Sequence, residues 1–253
     1  MPRPLRQIIA VLIAAVTASC WPATGGAVPL VQYTITDLGP GIVPQDISDG
    51  GTIVGYDTTS QTPAAVSITG NQTKYLASPG GESRALSIND DGEAAGFTGA
   101  TGDRHGVIWS AAGAAGTVTS RANVVEARAL TAFGHAAGVA VDPGSGQQRA
   151  FVYNRSIDKL RILDTFGGDN GRANHLNNLG TVAGEAATAA GNAHAFIYDV
   201  KNGLHDIGVL DGFTQSEAYA VNDAGQVVGW DYVDATADNA KRSFLYSSSQ
   251  GLN

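Results

Sequence analysis

The chain has 253 residues, 43% of them hydrophobic and only 15% charged, with a formal net charge of -8. That length buries one large core or two small ones. The acidic balance argues against nucleic acid and against anionic membrane surfaces, because both need clustered Lys and Arg. Thirty-three glycines point to many tight turns rather than long helices.

Residues 1–27 read as a secretory signal peptide. Arg3 and Arg6 precede an apolar run from Ile8 to Val16, and small residues follow, with Ala18 and Ala27 both placed for cleavage. The run is too short to span a bilayer. No transmembrane segment is expected, and the protein is expected outside the cytoplasm, extracellular or periplasmic. Cys20 is the only cysteine, so no intramolecular disulfide is expected. It follows Thr17-Ala18-Ser19, and a lipoprotein box would carry leucine in place of Thr17. A leftover signal-region cysteine is the better reading than a lipid anchor.

From Asp46 onward one plan recurs. DISDGGTIVG, SINDDGEAAG, LTAFGHAAG, LNNLGTVAG and VNDAGQVVG close on Gly55, Gly96, Gly138, Gly184 and Gly229, at intervals of 41, 42, 46 and 45. Fixed-period self-similarity of this length marks a repeat architecture. Each unit divides into four short apolar runs; in the fourth they are RANHL, TVAGEA, HAFIY and LHDIGVL. Asn, Asp and Gly between the first two runs suit a tight turn. No stretch sustains a 3.6-residue apolar period. The expected fold is all-β: a five-bladed β-propeller of four-stranded antiparallel blades, one domain spanning residues 33–253.

The fifth unit ends in RSFLYSSSQGLN and lacks its fourth strand, and YTITDLG (Tyr33 to Gly39) precedes the first unit as an orphan. The N-terminal run is therefore expected to complete the last blade, pairing around Phe244 to Tyr246. Such a swap closes the ring and removes an exposed sheet edge.

The units resemble the extracellular HAF repeat family. His194-Ala195-Phe196 carries the likeness outright; Arg149-Ala150-Phe151 and Ser243-Phe244 carry it in part. Asp164 to Gly168, Asp206 to Gly212 and the turn Ile88 to Gly92 add to it. The resemblance covers residues 33 to 253. It implies secretion and a propeller-like repeat, and no particular biochemical activity.

Candidate chemistry is sparse. Asn89, Asp90, Asp91 and Glu93 offer hard oxygens, but the equivalent turns place Leu, Ala or His where calcium would need a ligand. His105 and His194 share one repeat position while His135, His175 and His205 hold three others, so no paired zinc ligands emerge. No Gly-x-Ser-x-Gly elbow is present. No metal, cofactor or catalytic residue is assigned. Asp46, Glu126, Glu185 and Asp231 depart from repeat identity, and two carboxyls about 5 to 10 Å apart would suffice for a glycosidase. A polysaccharide-active hydrolase using channel carboxylates is therefore the alternative function.

The position after each closing glycine varies: Tyr56, Phe97, Val139, Glu185 and Trp230. Aromatics there either form a ligand-binding rim or pack between blades. Tyr56, Phe97, Trp230 and Tyr232 are the candidate ligand-binding residues, and Trp230 with Tyr232, flanked by Asp231 and Asp234, is the best patch. The expected function is a secreted, monomeric, non-catalytic binding or scaffolding propeller for glycan or protein.

Overall fold

The computed structural model describes residues 34–100, 102–117, 123–233, 241–247 and 251–252. The expectations for residues 1–27, Cys20, Tyr33 and Asp234 lie outside the described residues. All strands fall in one compact unit, Gly41–Asn253. Among the described residues no helix is long and apolar enough to cross a membrane.

Five four-stranded antiparallel sheets follow one another, each a meander in chain order. The first holds β1 (Ile42–Ile47), β2 (Ile53–Asp57), β3 (Ala64–Thr69) and β4 (Gln72–Tyr75). The second holds β5 (Ser83–Ile88), β6 (Ala94–Thr98), β7 (His105–Trp109) and β8 (Ala115–Thr117). The third holds β9 (Val124–Leu130), β10 (Ala136–Val141), β11 (Gln148–Asn154) and β12 (Lys159–Ile162). The fourth holds β13 (Gly167–Leu176), β14 (Val182–Thr188), β15 (Ala193–Asp199) and β16 (Gly203–Gly208). The fifth holds β17 (Gln215–Val221), β18 (Val227–Tyr232), β19 (Arg242–Ser247) and β20 (Gly251–Leu252).

One turn joins the first two strands of every sheet. Its glycine, Gly51, Gly92, Gly134, Gly180 or Gly225, has φ between 72° and 85°, a region that costs other residues steric strain. Three residues earlier a side-chain oxygen of Ser48, Asn89, Thr131, Asn177 or Asn222 accepts the N–H that restarts the chain. Asn, Ser and Thr serve the turn because they supply that acceptor locally.

The closing glycines answer to a different constraint. A Cβ at Gly55, Gly96, Gly138, Gly184 or Gly229 would overlap the carbonyl oxygen of Val43, Arg84, Glu126, Arg172 or Glu217 on the neighbouring strand. Each glycine lies where the first strand slips register. The repeat therefore encodes a β-bulge, and glycine admits the close backbone approach.

Opposite each closing glycine, on the third strand, lies Val66, Val107, Phe151, Phe196 or Phe244, all buried. In the second to fifth sheets this side chain points back to the preceding sheet, and in the first to fourth the residue before it points forward. Phe196 thus packs with Ala137 and Ala150 of the third sheet, whereas Ala195 packs with Val221 and Phe244 of the fifth. The core consists of such layers between consecutive sheets. Among the described residues, substantial packing joins each sheet to the next, and none joins the fifth to the first.

The expected completion of the last sheet by the N-terminal run is corrected. β19 pairs with β20 through Tyr246↔Leu252 and Ser247↔Gly251, while residues 34–39 form no strand. The fourth sheet explains this, since Tyr198 pairs with Leu204 in the same way. Gly-Leu starts the fourth strand in both sheets, and two residues are enough to occupy the outer place.

Candidate functional site

Twelve positions before each closing glycine stand Val43, Arg84, Glu126, Arg172 and Glu217, so across the second to fifth sheets the first strand carries charge of alternating sign. Four further residues extend these into a ladder. Glu82 meets Arg84 at 2.5 Å and Arg104 at 3.6 Å; Arg104 meets Glu126 at 2.5 Å; Glu126 meets Arg128 at 2.9 Å. Arg172 spans Glu185 at 3.1 Å and Glu217 at 2.7 Å. Four guanidiniums thus face four carboxylates. Such shared, partly buried pairs hold their geometry better than isolated surface pairs.

Burial chiefly pushes the Glu185 carboxyl above its ordinary value, with Glu217 adding to the rise and Arg172 opposing it. The charges of Glu185 and Glu217 also act on Tyr232, whose phenol is pushed up to about 12, mainly by burial.

The four sequence-predicted residues all border this ladder. Tyr56 is half-buried, and the Arg84 guanidinium lies 4.4 Å from its ring centre. Phe97 is buried beneath Arg104, at 4.2 Å. Trp230 is half-buried; its Nε1 donates to Glu217 at 3.3 Å, and the Tyr219 ring lies 4.7 Å away. Lys241 stands 5.0 Å over the Trp230 ring. Tyr232 is buried. Cation–π contacts therefore occupy much of the aromatic surface.

The four singled-out acids separate. Glu126 and Glu185 are rungs of the ladder. Asp46 instead accepts Ser87 Oγ at 3.0 Å and the Ile88 N–H at 2.9 Å, joining the first sheet to the second. Asp231 is fully buried; Oδ1 accepts the Leu210 N–H at 3.1 Å, Oδ2 has no partner, and burial chiefly raises its pKa.

The remaining polar candidates hold the fold. Asn89 also donates to the Thr131 carbonyl, Asp90 accepts the Asp49 N–H, and Glu93 takes a two-pronged pair from Arg155. His194 pairs with Asp206 at 3.0 Å and His105 with Asp103 at 3.3 Å. His135 and His175 accept backbone N–H groups, and burial lowers both pKa values.

A cleft of about 650 Å³ opens along the ladder. Arg104, Glu126, Arg128, Arg172 and Glu185 line it from the second, third and fourth sheets, and Gln148, Asn170 and Gln215 add carboxamides. Sequence reasoning singled out Glu126 and Glu185 here and missed the arginines. For Arg172 the signal was the constant twelve-residue offset from the closing glycine; Arg104 and Arg128 lie off that offset.

No protein-family model matches the chain, and no curated protein does. Many solved structures are similar, two TolB proteins among them. A putative TolB from Agrobacterium tumefaciens is 12% identical with a TM-score of 0.58, the match covering 84% of this chain and 79% of that one. TolB from Acinetobacter baumannii is 17% identical with a TM-score of 0.53, covering 84% of this chain and 56% of that one. The chain thus spans little more than half the length of the second. At these identities the likeness concerns the fold alone: an all-β array of four-stranded antiparallel sheets, similar to the TolB propellers.

Proposed function

We propose that this protein is an exported, non-catalytic binding or scaffolding propeller whose ligand sits over the charged cleft. One observation carries the reading: arginines bridge the cleft carboxylates. A general acid and base need free carboxyls facing a substrate, whereas Glu126 is shared by Arg104 and Arg128, and Glu185 is tied to Arg172. The order of residues in the leader supports export, and the HAF-like repeat agrees with an extracellular or periplasmic setting. In this reading the five sheets are blades around one axis. Asp46 of the first sheet acts electrostatically on His175 of the fourth, which supports that arrangement.

The test is a glycan and peptide array probed with the protein and with Arg172→Gln. Binding by the first and its loss in the second are expected; no binding to any class overturns the reading. A hydrolase remains the second reading because the Glu185 pKa is raised beside Glu217, as an acid catalyst requires. Polysaccharide cleavage that vanishes in Glu185→Gln would establish it instead.

A further inference from the structure

We propose that the cleft takes a sugar acid, with the Arg128 guanidinium holding its carboxylate and the surrounding carboxamides and glutamates holding its hydroxyls. The inference rests on the binding reading above and names its ligand class.

Among the three arginines that line the cleft, Arg128 has the fewest ion-pair partners. Arg104 lies between Glu82 and Glu126, and Arg172 between Glu185 and Glu217. Arg128 pairs only with Glu126, which Arg104 already shares. Its Nε–H, like those of Arg104 and Arg172, is buried and has no hydrogen-bond acceptor. A donor without an acceptor in such a place is costly, and a guanidinium matches a carboxylate through parallel N–H bonds. The fold aims this side chain deliberately. Arg128 is the residue skipped where β9 slips register, between Ala127↔Gly138 and Ala129↔Ala137, and bulges re-aim side chains.

The lining sets the rest of the ligand. Three guanidiniums and two carboxylates line the cleft, while Glu82 and Glu217 pair with Arg104 and Arg172 from outside that lining, so the Arg128 fork is the group that suits a single carboxylate. Gln148, Asn170 and Gln215 both donate and accept, and Glu126 and Glu185 accept. Hydroxyls, each donor and acceptor at once, satisfy that set. A peptide would bring apolar side chains, for which a cleft supplies hydrophobic and aromatic walls. Here Phe97 and Tyr232 are buried, Arg84 covers Tyr56, and the apolar part of the lining is limited to the small side chains of Val125, Val139, Ala187 and Ala193. The volume lies within the roughly 300–1,000 Å³ usual for small-ligand sites.

Calorimetric titration of the full chain with D-glucuronate and D-galacturonate tests the inference, with D-glucose, D-galactose, acetate and a glutamate-rich peptide as comparisons. The uronates are expected to bind, and the neutral sugars and acetate to bind at least about tenfold more weakly. Arg128→Gln is expected to weaken uronate binding by at least about tenfold, with its melting temperature recorded alongside. Arg128→Lys, which keeps the charge and loses the fork, serves where the first variant unfolds, and a similar loss is expected. Failure of both uronates to bind, equal binding of acetate or neutral sugar, or unchanged affinity in the variants overturns the proposal. Binding of the peptide alone overturns it too, while leaving the binding-module reading standing.

Discussion

The fourth and fifth sheets share turn, bulge, closing glycine and buried phenylalanine, yet their forward faces differ. On the fourth, Ala183 and Ala195 are fully buried, and Ile197 packs into the layer below the fifth sheet. On the fifth, the matching Val228 and Leu245 are 47% and 43% exposed, and Ser243 is exposed. The skipped residues differ likewise: Asn174 donates to Glu217 and to the Ala218 carbonyl, whereas Tyr219 is 53% exposed. A strand's shape is thus set by its own residues, and its burial by the sheet that follows. The row Ala65, Gly106, Ala150, Ala195 and Ser243 records this. It stays tiny while a neighbour presses on it, since a Cβ at Gly106 would strike Val124, and it turns polar where none of the described residues does.

The largest test of that contrast places a charge at one row position in two sheets. Ala195→Asp buries an unpaired carboxylate between sheets and is expected to cost about 3–5 kcal/mol. Ser243→Asp stays in water and is expected to cost no more than about 0.5 kcal/mol. Urea unfolding measures both. Equal losses would mean that the forward face of the fifth sheet is covered after all.

A smaller effect is expected where the two sheets agree. Gly184→Ala and Gly229→Ala each push a methyl into a backbone carbonyl and are expected to cost about 1–3 kcal/mol or more, as overpacking does. The bulge is internal to each sheet, and a methyl at Gly229 also meets the Phe244 ring at 2.6 Å, so its loss should be at least as large as that at Gly184. A much milder loss at Gly229 would show that the last sheet relaxes its register more easily than its neighbour.

Much of this was legible in the sequence because it is local. The turn acceptors, the positive-φ glycines and the strand lengths repeat with the closing glycine, and the five four-stranded sheets follow from them. What the sequence hid depends on which side chains meet across sheets. Arg84, Glu126, Arg172 and Glu217 lie 42 to 46 residues apart and become a ladder only when adjacent first strands pack side by side. Tyr56 and Phe97 read either as rim or as packed aromatics in the sequence, and only the fold shows Arg84 and Arg104, from other turns of the chain, lying over them. The last strand was obscured by its brevity: Gly251 and Leu252 mark its start, as Gly203 and Leu204 do one unit earlier.

The ladder itself gives a pH prediction. Glu185 has its pKa raised above the ordinary 4.5, so between those values the folded protein binds more protons than the unfolded chain. Stability from this group is therefore present at low pH and lost as pH rises through the folded pKa. Glu185→Gln removes that dependence. The melting temperature of the variant, minus that of the unaltered protein, is expected to increase from pH 4 to pH 8. A difference that is flat or falls would show that Arg172 outweighs burial at this site.

The smallest expected effect concerns Trp230, whose partners Tyr219 and Glu217 belong to its own sheet. A tryptophan packed between sheets would cost about 3–5 kcal/mol when cut to alanine. Trp230→Ala loses one ring contact, the Lys241 cation–π contact and one long hydrogen bond at a half-buried face, together about 1–3 kcal/mol. The Phe196→Ala variant, whose ring is fully buried, supplies the reference of about 3–5 kcal/mol in the same assay. If Trp230→Ala costs as much, the ring is clamped by something beyond its own sheet, and the fifth sheet is no longer the open one.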